Sequence, residues 1–266
     1  MSRGVRLLLL AVSLFQAVFA VLFVFQSPVA LALWPLPDTT PLTYIFIGSI
    51  FAAAAASTLF CVLLNVRGAL VGIALDYIVI FVPLTIFMLQ ASAWVGTGPA
   101  IFGLVSAVGI VFGVWLLRYG LGGPITDPRP CPPLVRISFA VFVVALILVG
   151  GAMVLKQPNI IPWRITPDGS VVIGWMFLGA AAYFLYALAR PSWHNAGGQL
   201  AGFLAYDIVL IIPFLQRLPT VAEEFRLSLI VYTIVVTYSG LLAAYYLFLH
   251  PSTRIWRELR EGVRTW

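Results

Sequence analysis

Gly68 to Pro83 reads GALVGIALDYIVIFVP, and Gly198 to Pro213 reads GQLAGFLAYDIVLIIP. The two stretches align without a gap at an offset of 130 residues, with Gly68/Gly198, Leu70/Leu200, Gly72/Gly202, Ile78/Ile208, Val79/Val209 and Pro83/Pro213 identical. Each holds a G-x-x-x-G, then an acidic residue inside an apolar run (Asp76, Asp207), then a proline within the run. Glycines at that spacing let helix backbones approach closely in a membrane, where no hydrophobic effect drives helices together. The pair points to a duplicated bundle of membrane helices.

Composition leads the same way. Of 266 residues, 62% are hydrophobic and 9% charged, and mean hydropathy is +1.06. Average soluble domains carry about 25% charged residues. Eight apolar runs, near 5–26, 43–64, 69–90, 100–118, 135–155, 171–189, 199–216 and 227–249, approach the ~20 residues a membrane-spanning helix needs. What remains is short loops and a tail, which excludes a soluble catalytic or nucleic-acid-binding module.

Further matches at the same offset are Val5-Arg6 with Val135-Arg136, Pro28 with Pro158, Pro37-Asp38 with Pro167-Asp168, and Asn65 with Asn195. Four spans return a chain to its starting side, so the second copy begins in the orientation of the first. The expected fold is an all-α membrane protein of eight transmembrane helices, arranged as two parallel four-helix repeats with a pseudo-two-fold about the membrane normal. Residues 1–119 form the first repeat, 120–133 a cytoplasmic linker rich in Pro and Gly, 134–250 the second repeat and 251–266 a tail. Ile255, Trp256, Leu259, Val263 and Trp266 share one side of that tail, with charged residues around the rest. This is the pattern of an amphipathic helix lying on a membrane surface.

The net charge of +6 reads as topology. Eleven basic residues (Arg3, Arg6, Arg67, Arg118, Arg129, Arg136, Arg190, Arg254, Arg257, Arg260, Arg264) fall on the side of the termini. Lys156, Arg164, Arg217 and Arg226 fall opposite. The positive-inside rule then puts both termini in the cytoplasm, and the chain in the cytoplasmic (inner) membrane. The basic start, the apolar run and Ala30-Leu31-Ala32 resemble a signal peptide, but a run of this length and its repeat counterpart favour a retained first span. Cys61 and Cys131 are read as free thiols of a reducing compartment.

Helical spacing puts Gly68, Gly72, Asp76 and Pro83 on one face of the third span, and Gly198, Gly202, Tyr206 and Pro213 on the matching face of the seventh. The polar pair is swapped, Asp76-Tyr77 against Tyr206-Asp207. These four residues are the candidate intramembrane polar site. The four glycines are the expected helix-packing positions, and Pro83 and Pro213 the expected kinks. The third and seventh spans are expected to touch, with Asp76 near Tyr206 and each aspartate about 10 Å inside its span. A carboxyl in a span is a functional hypothesis by default, set against a structural role as hydrogen-bonded glue between helices.

Other features have local readings. Trp34 and Trp163 suit the headgroup layer. Thr220 to Glu223 has the spacing of a capping box opening the eighth span. The prolines between 124 and 133 suit a stiff connector. His194 and His250 are the only histidines, and a bis-histidine haem site would need them to face each other. No phosphate loop, metal cluster or nucleophile triad stands out, and no catalytic residue is assigned.

The residues favour a non-enzymatic bundle, either an accessory or scaffold subunit or a binder of an apolar molecule. Its partners would be the lipid bilayer and other membrane subunits or a hydrophobic small molecule, not nucleic acid. The alternatives are a small transporter using Asp76 and Asp207 at the repeat interface, and an intramembrane isomerase or cyclase using the same carboxyls.

Overall fold

The computed structural model describes residues 1–124, 127 and 129–256. Helix α1 (Arg3–Val24) opens on Ser2, whose side chain accepts from the Val5 amide. A short helix, α2 (Pro28–Leu33), follows where the sequence suggested a loop. Helices α3 (Pro41–Leu63) and α7 (Pro167–Ala189) open alike, with a threonine at the cap and a proline in the first turn. Proline suits that position because the first turn has no use for its missing amide hydrogen. Helix α4 (Leu70–Val95) turns into α5 (Thr97–Leu121) at Gly96. The φ of +115° there is open to glycine and strained for other residues. The remaining elements are α6 (Pro133–Val154), α8 (Trp193–Arg217) and α9 (Glu223–Ala244). The last of these ends in a π-helical turn at Tyr245–Leu249.

All of these except α2 are long and apolar enough to cross a membrane, which makes eight spans among the described residues. Within the first half α1 packs on α3 and α5 on α4; within the second, α6 packs on α7 and α9 on α8. The halves meet where α3 lies on α8 and α4 on α7. These four inner helices bury 44–61% of their most apolar window, against 22–33% for the outer four. The outer helices therefore present the lipid-facing surface. Buried side chains form two layers. One is built on Phe60, Leu70, Phe139, Phe184 and Trp193, the other on Phe46, Leu84, Trp163, Val172 and Phe214.

Several local expectations change. The capping box does not form: α9 is capped by Ala222 without a side-chain bond, and Thr220 turns its hydroxyl back to the Arg217 carbonyl. Glu223 pairs with Arg226 at 3.2 Å instead. Pro167-Asp168 opens α7, and Pro37-Asp38 lies in the loop before α3. Trp163 is 1% exposed. Its indole donates to Thr43 at 2.9 Å and its ring packs on Phe46 and Phe214. Of the tail, Ile255 and Trp256 are described, and Leu259, Val263 and Trp266 lie outside the described residues.

Candidate functional site

The glycine faces are occupied, but not by each other. A Cβ on Gly72 of α4 would overlap the ring of Tyr183 from α7, and one on Gly202 of α8 would overlap the hydroxyl of Ser57 from α3. Gly198 lies under the same Tyr183, with its Cβ position 3.0 Å from the phenol oxygen and 3.6 Å from Cys61 Sγ. The Gly68 carbonyl accepts from Tyr186 of α7 at 3.1 Å, and the Gly198 carbonyl from Ser57 at 2.9 Å. The expected α4–α8 contact is thus replaced by two crossed ones, α4 with α7 and α8 with α3. The physical reason is bulk. A tyrosine ring fills the notch that a second glycine helix would have entered.

The polar four are split by the same arrangement. Asp76 is half-buried against α7, where a Cβ on Gly179 would come within 2.6 Å of its Oδ1. Tyr206 does not meet it: its hydroxyl bonds that of Tyr232 in α9, and its ring stands edge-on to Phe46. Tyr77 is buried and takes a hydrogen bond from Gln16 of α1. Asp207 is 4% exposed and lies against Gly240 of α9, with both carboxyl oxygens buried and unpartnered. The nearby Ser239 hydroxyl spends its proton on the Val235 carbonyl at 2.8 Å. Asp207 also lies fourteen residues beyond Trp193, the start of α8, or about 21 Å along the axis at 1.5 Å per residue. The expected 10 Å holds only for Asp76, six residues into α4. Pro83 and Pro213 lie inside α4 and α8.

Two clusters escaped the sequence reading. The first lies at Tyr77, where Gln16 Oε1 and Thr58 Oγ1 are buried without partners, as is Ser13 Oγ three residues before Gln16 on α1. Its sequence signal was available, because Ser13 and Gln16 are the only polar residues between Leu7 and Val24. The second ties the linker down. Asp127, its side chain 2% exposed, takes bonds from Arg129 at 2.9 and 3.0 Å and faces His194 Nε2 at 3.5 Å. Arg129 also reaches the Ser252 carbonyl. Backbone bonds from Cys131 to Pro191 and from Trp193 to Arg129 bind the linker to the α7–α8 turn. Burial works against the Asp127 charge, but the Arg129 hydrogen bonds and the His194 and Arg129 charges outweigh it and hold the carboxyl below its ordinary value. Burial pushes the Cys131 thiol up to about 12, which makes it a poor nucleophile.

His194 and His250 each serve loop contacts, the latter with Ser252 and Thr253. No cluster of three or more metal-ligating side chains occurs among the described residues. Asp76 and Asp207 sit on different helix seams, each beside small residues and its own helix neighbours, so neither supplies an acid–base partner for the other.

Eight apolar helices of spanning length with a packed interior define a multi-pass integral membrane protein. Compared with known protein families, curated proteins and solved structures, the chain matches none.

Proposed function

We propose that this protein is a non-enzymatic membrane bundle. It acts as an accessory or scaffold subunit, or as a binder of an apolar molecule, through the outer faces of α1, α5, α6 and α9. The observation that carries this reading is the filled seam between the halves. Tyr183 seats on Gly72 and Gly198, Ser57 on Gly202, and Ile80 with Asp76 on Gly179. A solute path between rocking halves needs room or polar lining at that seam, and here side chains occupy it.

The reading includes two four-helix repeats about a pseudo-two-fold axis, with the boundaries expected from sequence. Support comes from how helices pair, since exchanging α1, α3, α4 and α5 for α6, α7, α8 and α9 turns every main contact into another main contact. Helices α1 and α6 begin and end 130 residues apart, but α3 and α7 are 126 apart. On that register Gly48, set against Ala20 and Val24, corresponds to Gly174, set against Gly150 and Val154. The second copy would then lack one helical turn in the loop before α7. Pro167 pairs with Pro41 rather than Pro37 on this view. Both termini are proposed to be cytoplasmic, on the distribution of basic residues.

The transporter alternative retains one observation in its favour, the unpartnered buried carboxyl of Asp207. The two readings separate in proteoliposomes loaded with a pH-sensitive dye. A scaffold gives no protein-dependent proton flux under an imposed gradient, and its partner subunit or apolar molecule remains bound in stoichiometric amount through purification. Flux that Asp76→Asn or Asp207→Asn abolishes would replace this proposal with the transporter.

A further inference from the structure

An aromatic ladder climbs the first half toward one membrane end. Tyr77 meets Phe112 at 6.1 Å, Phe112 meets Trp115 at 5.6 Å, and Trp115 stacks on Tyr119 at 5.7 Å with ring planes 10° apart. Phe112, Trp115 and Tyr119 are each only half-buried. Their exposure follows from the packing: α1 lies along α3 and α5 along α4, and α1 and α5 do not pack along each other. Tyr77, 7% exposed, lies at the inner end of the seam between them, bonded by Gln16 of α1 and packed on Phe112 of α5.

The top of the ladder is cationic. The Arg67 guanidinium lies 4.1 Å from the centre of the Tyr119 ring, and its Nε donates to the Tyr119 carbonyl. Among the described residues no other hydrogen bond from its guanidinium and no carboxylate partner of Arg67 occurs. Arg118 adds a further positive charge in the last turn of α5. A guanidinium fixed by its own ring and carbonyl contacts offers a planar pair of donors suited to phosphate.

One turn deeper, the half-buried Trp115 offers its indole N–H, which has no hydrogen-bond acceptor among the described residues. Four residues of helix place it about 6 Å below Tyr119 along the axis. A free anion cannot meet both the guanidinium and a donor at that depth. A phospholipid can, because its ester carbonyls lie one glycerol unit below the phosphate and its chains continue into the bilayer.

We infer that the α1–α5 seam holds one anionic phospholipid, its phosphate on Arg67, an ester carbonyl on the Trp115 indole, and an acyl chain along Phe112. Basic pockets between helices at a membrane end bind acidic headgroups on the same physical grounds.

Native mass spectrometry of the purified full chain tests this, with phosphatidylglycerol and phosphatidylcholine of identical acyl chains added in turn. The wild-type protein should retain a single phosphatidylglycerol in preference to phosphatidylcholine. Arg67→Gln should weaken that retention about five- to tenfold, the scale of one basic residue at an anionic surface. Arg164→Gln, an exposed arginine near Glu224, should leave it unchanged. Trp115→Phe keeps the ring and loses the donor, so it should weaken retention by a smaller factor; it also serves as the test if Arg67→Gln elutes as aggregate. Excess inorganic phosphate should not displace the lipid. Equal retention of the two lipids, equal effects of the Arg67 and Arg164 variants, or full displacement by phosphate would each overturn the inference.

Discussion

Gly72→Ala is the smallest change that probes how the halves are joined. The added methyl would overlap the Tyr183 ring, whose neighbours Gly198, Cys61 and Ser57 leave it no free direction. Overpacking of this kind costs about 1–3 kcal/mol in a close-packed interior. Tyr183→Ala alone removes a buried ring and should cost about 3–5 kcal/mol. In the double variant the methyl enters space the ring has left. The combined loss should therefore fall short of the sum by about 1–3 kcal/mol, the range for residues in direct contact. Equilibrium unfolding in mixed micelles, run on wild type and the three variants, yields that coupling energy. A coupling near zero, or a neutral Gly72→Ala, would mean that α7 does not fill the α4 notch and would refute the packing scheme.

Gly151→Ala is the matching control: its Cβ position has nothing within 4 Å, so the same assay should show no loss and a gain of up to about 1 kcal/mol from helix propensity. Asp207→Leu removes a buried carboxyl whose oxygens have no partner, and if the group is structural it should leave stability unchanged or raise it by about 1–3 kcal/mol; a comparable loss would show an unseen partner. For Asp127 the folded carboxyl lies below its ordinary value, so its contribution is present above the unfolded value of about 3.9 and is lost as pH falls through the folded one. Wild-type thermal stability should accordingly decline toward pH 3 more steeply than that of Asp127→Asn, and parallel profiles would dismiss the linker clasp.

The spans were legible because run length and hydropathy are local information, and the glycines were marked by the spacing of small residues. The partners of those glycines were not. Gly72 announces that something comes close, but only the tertiary arrangement decides that it is Tyr183, 111 residues away. The swapped Asp/Tyr pair invited a direct contact between α4 and α8 because both helices carry it. Packing sends Asp76 to Gly179 and Tyr206 to Tyr232 instead. The start of α8 was set too late because Trp193 to Gly198 is too polar for a hydropathy window, although it is fully helical. The Asp127–Arg129–His194 clasp joins a linker to a helix start far along the chain, and no local pattern encodes it. Ser13 and Gln16 could have been read, since polar residues in an apolar span seek partners.

The two halves join through α3 and α8, and a native cysteine tests that contact. A Cβ at position 198 lies 3.6 Å from Cys61 Sγ, near enough for a disulfide to close with small adjustments. The experiment takes Gly198→Cys with a protease site inserted after Pro124, oxidises it in the membrane, cleaves it and runs a non-reducing denaturing gel. The halves should stay joined, and should separate on reduction or when Cys61→Ala is added. A Gly72→Cys/Gly198→Cys/Cys61→Ala protein, which tests direct α4–α8 contact, should separate. Halves that separate in the first protein and stay joined in the last would contradict the account.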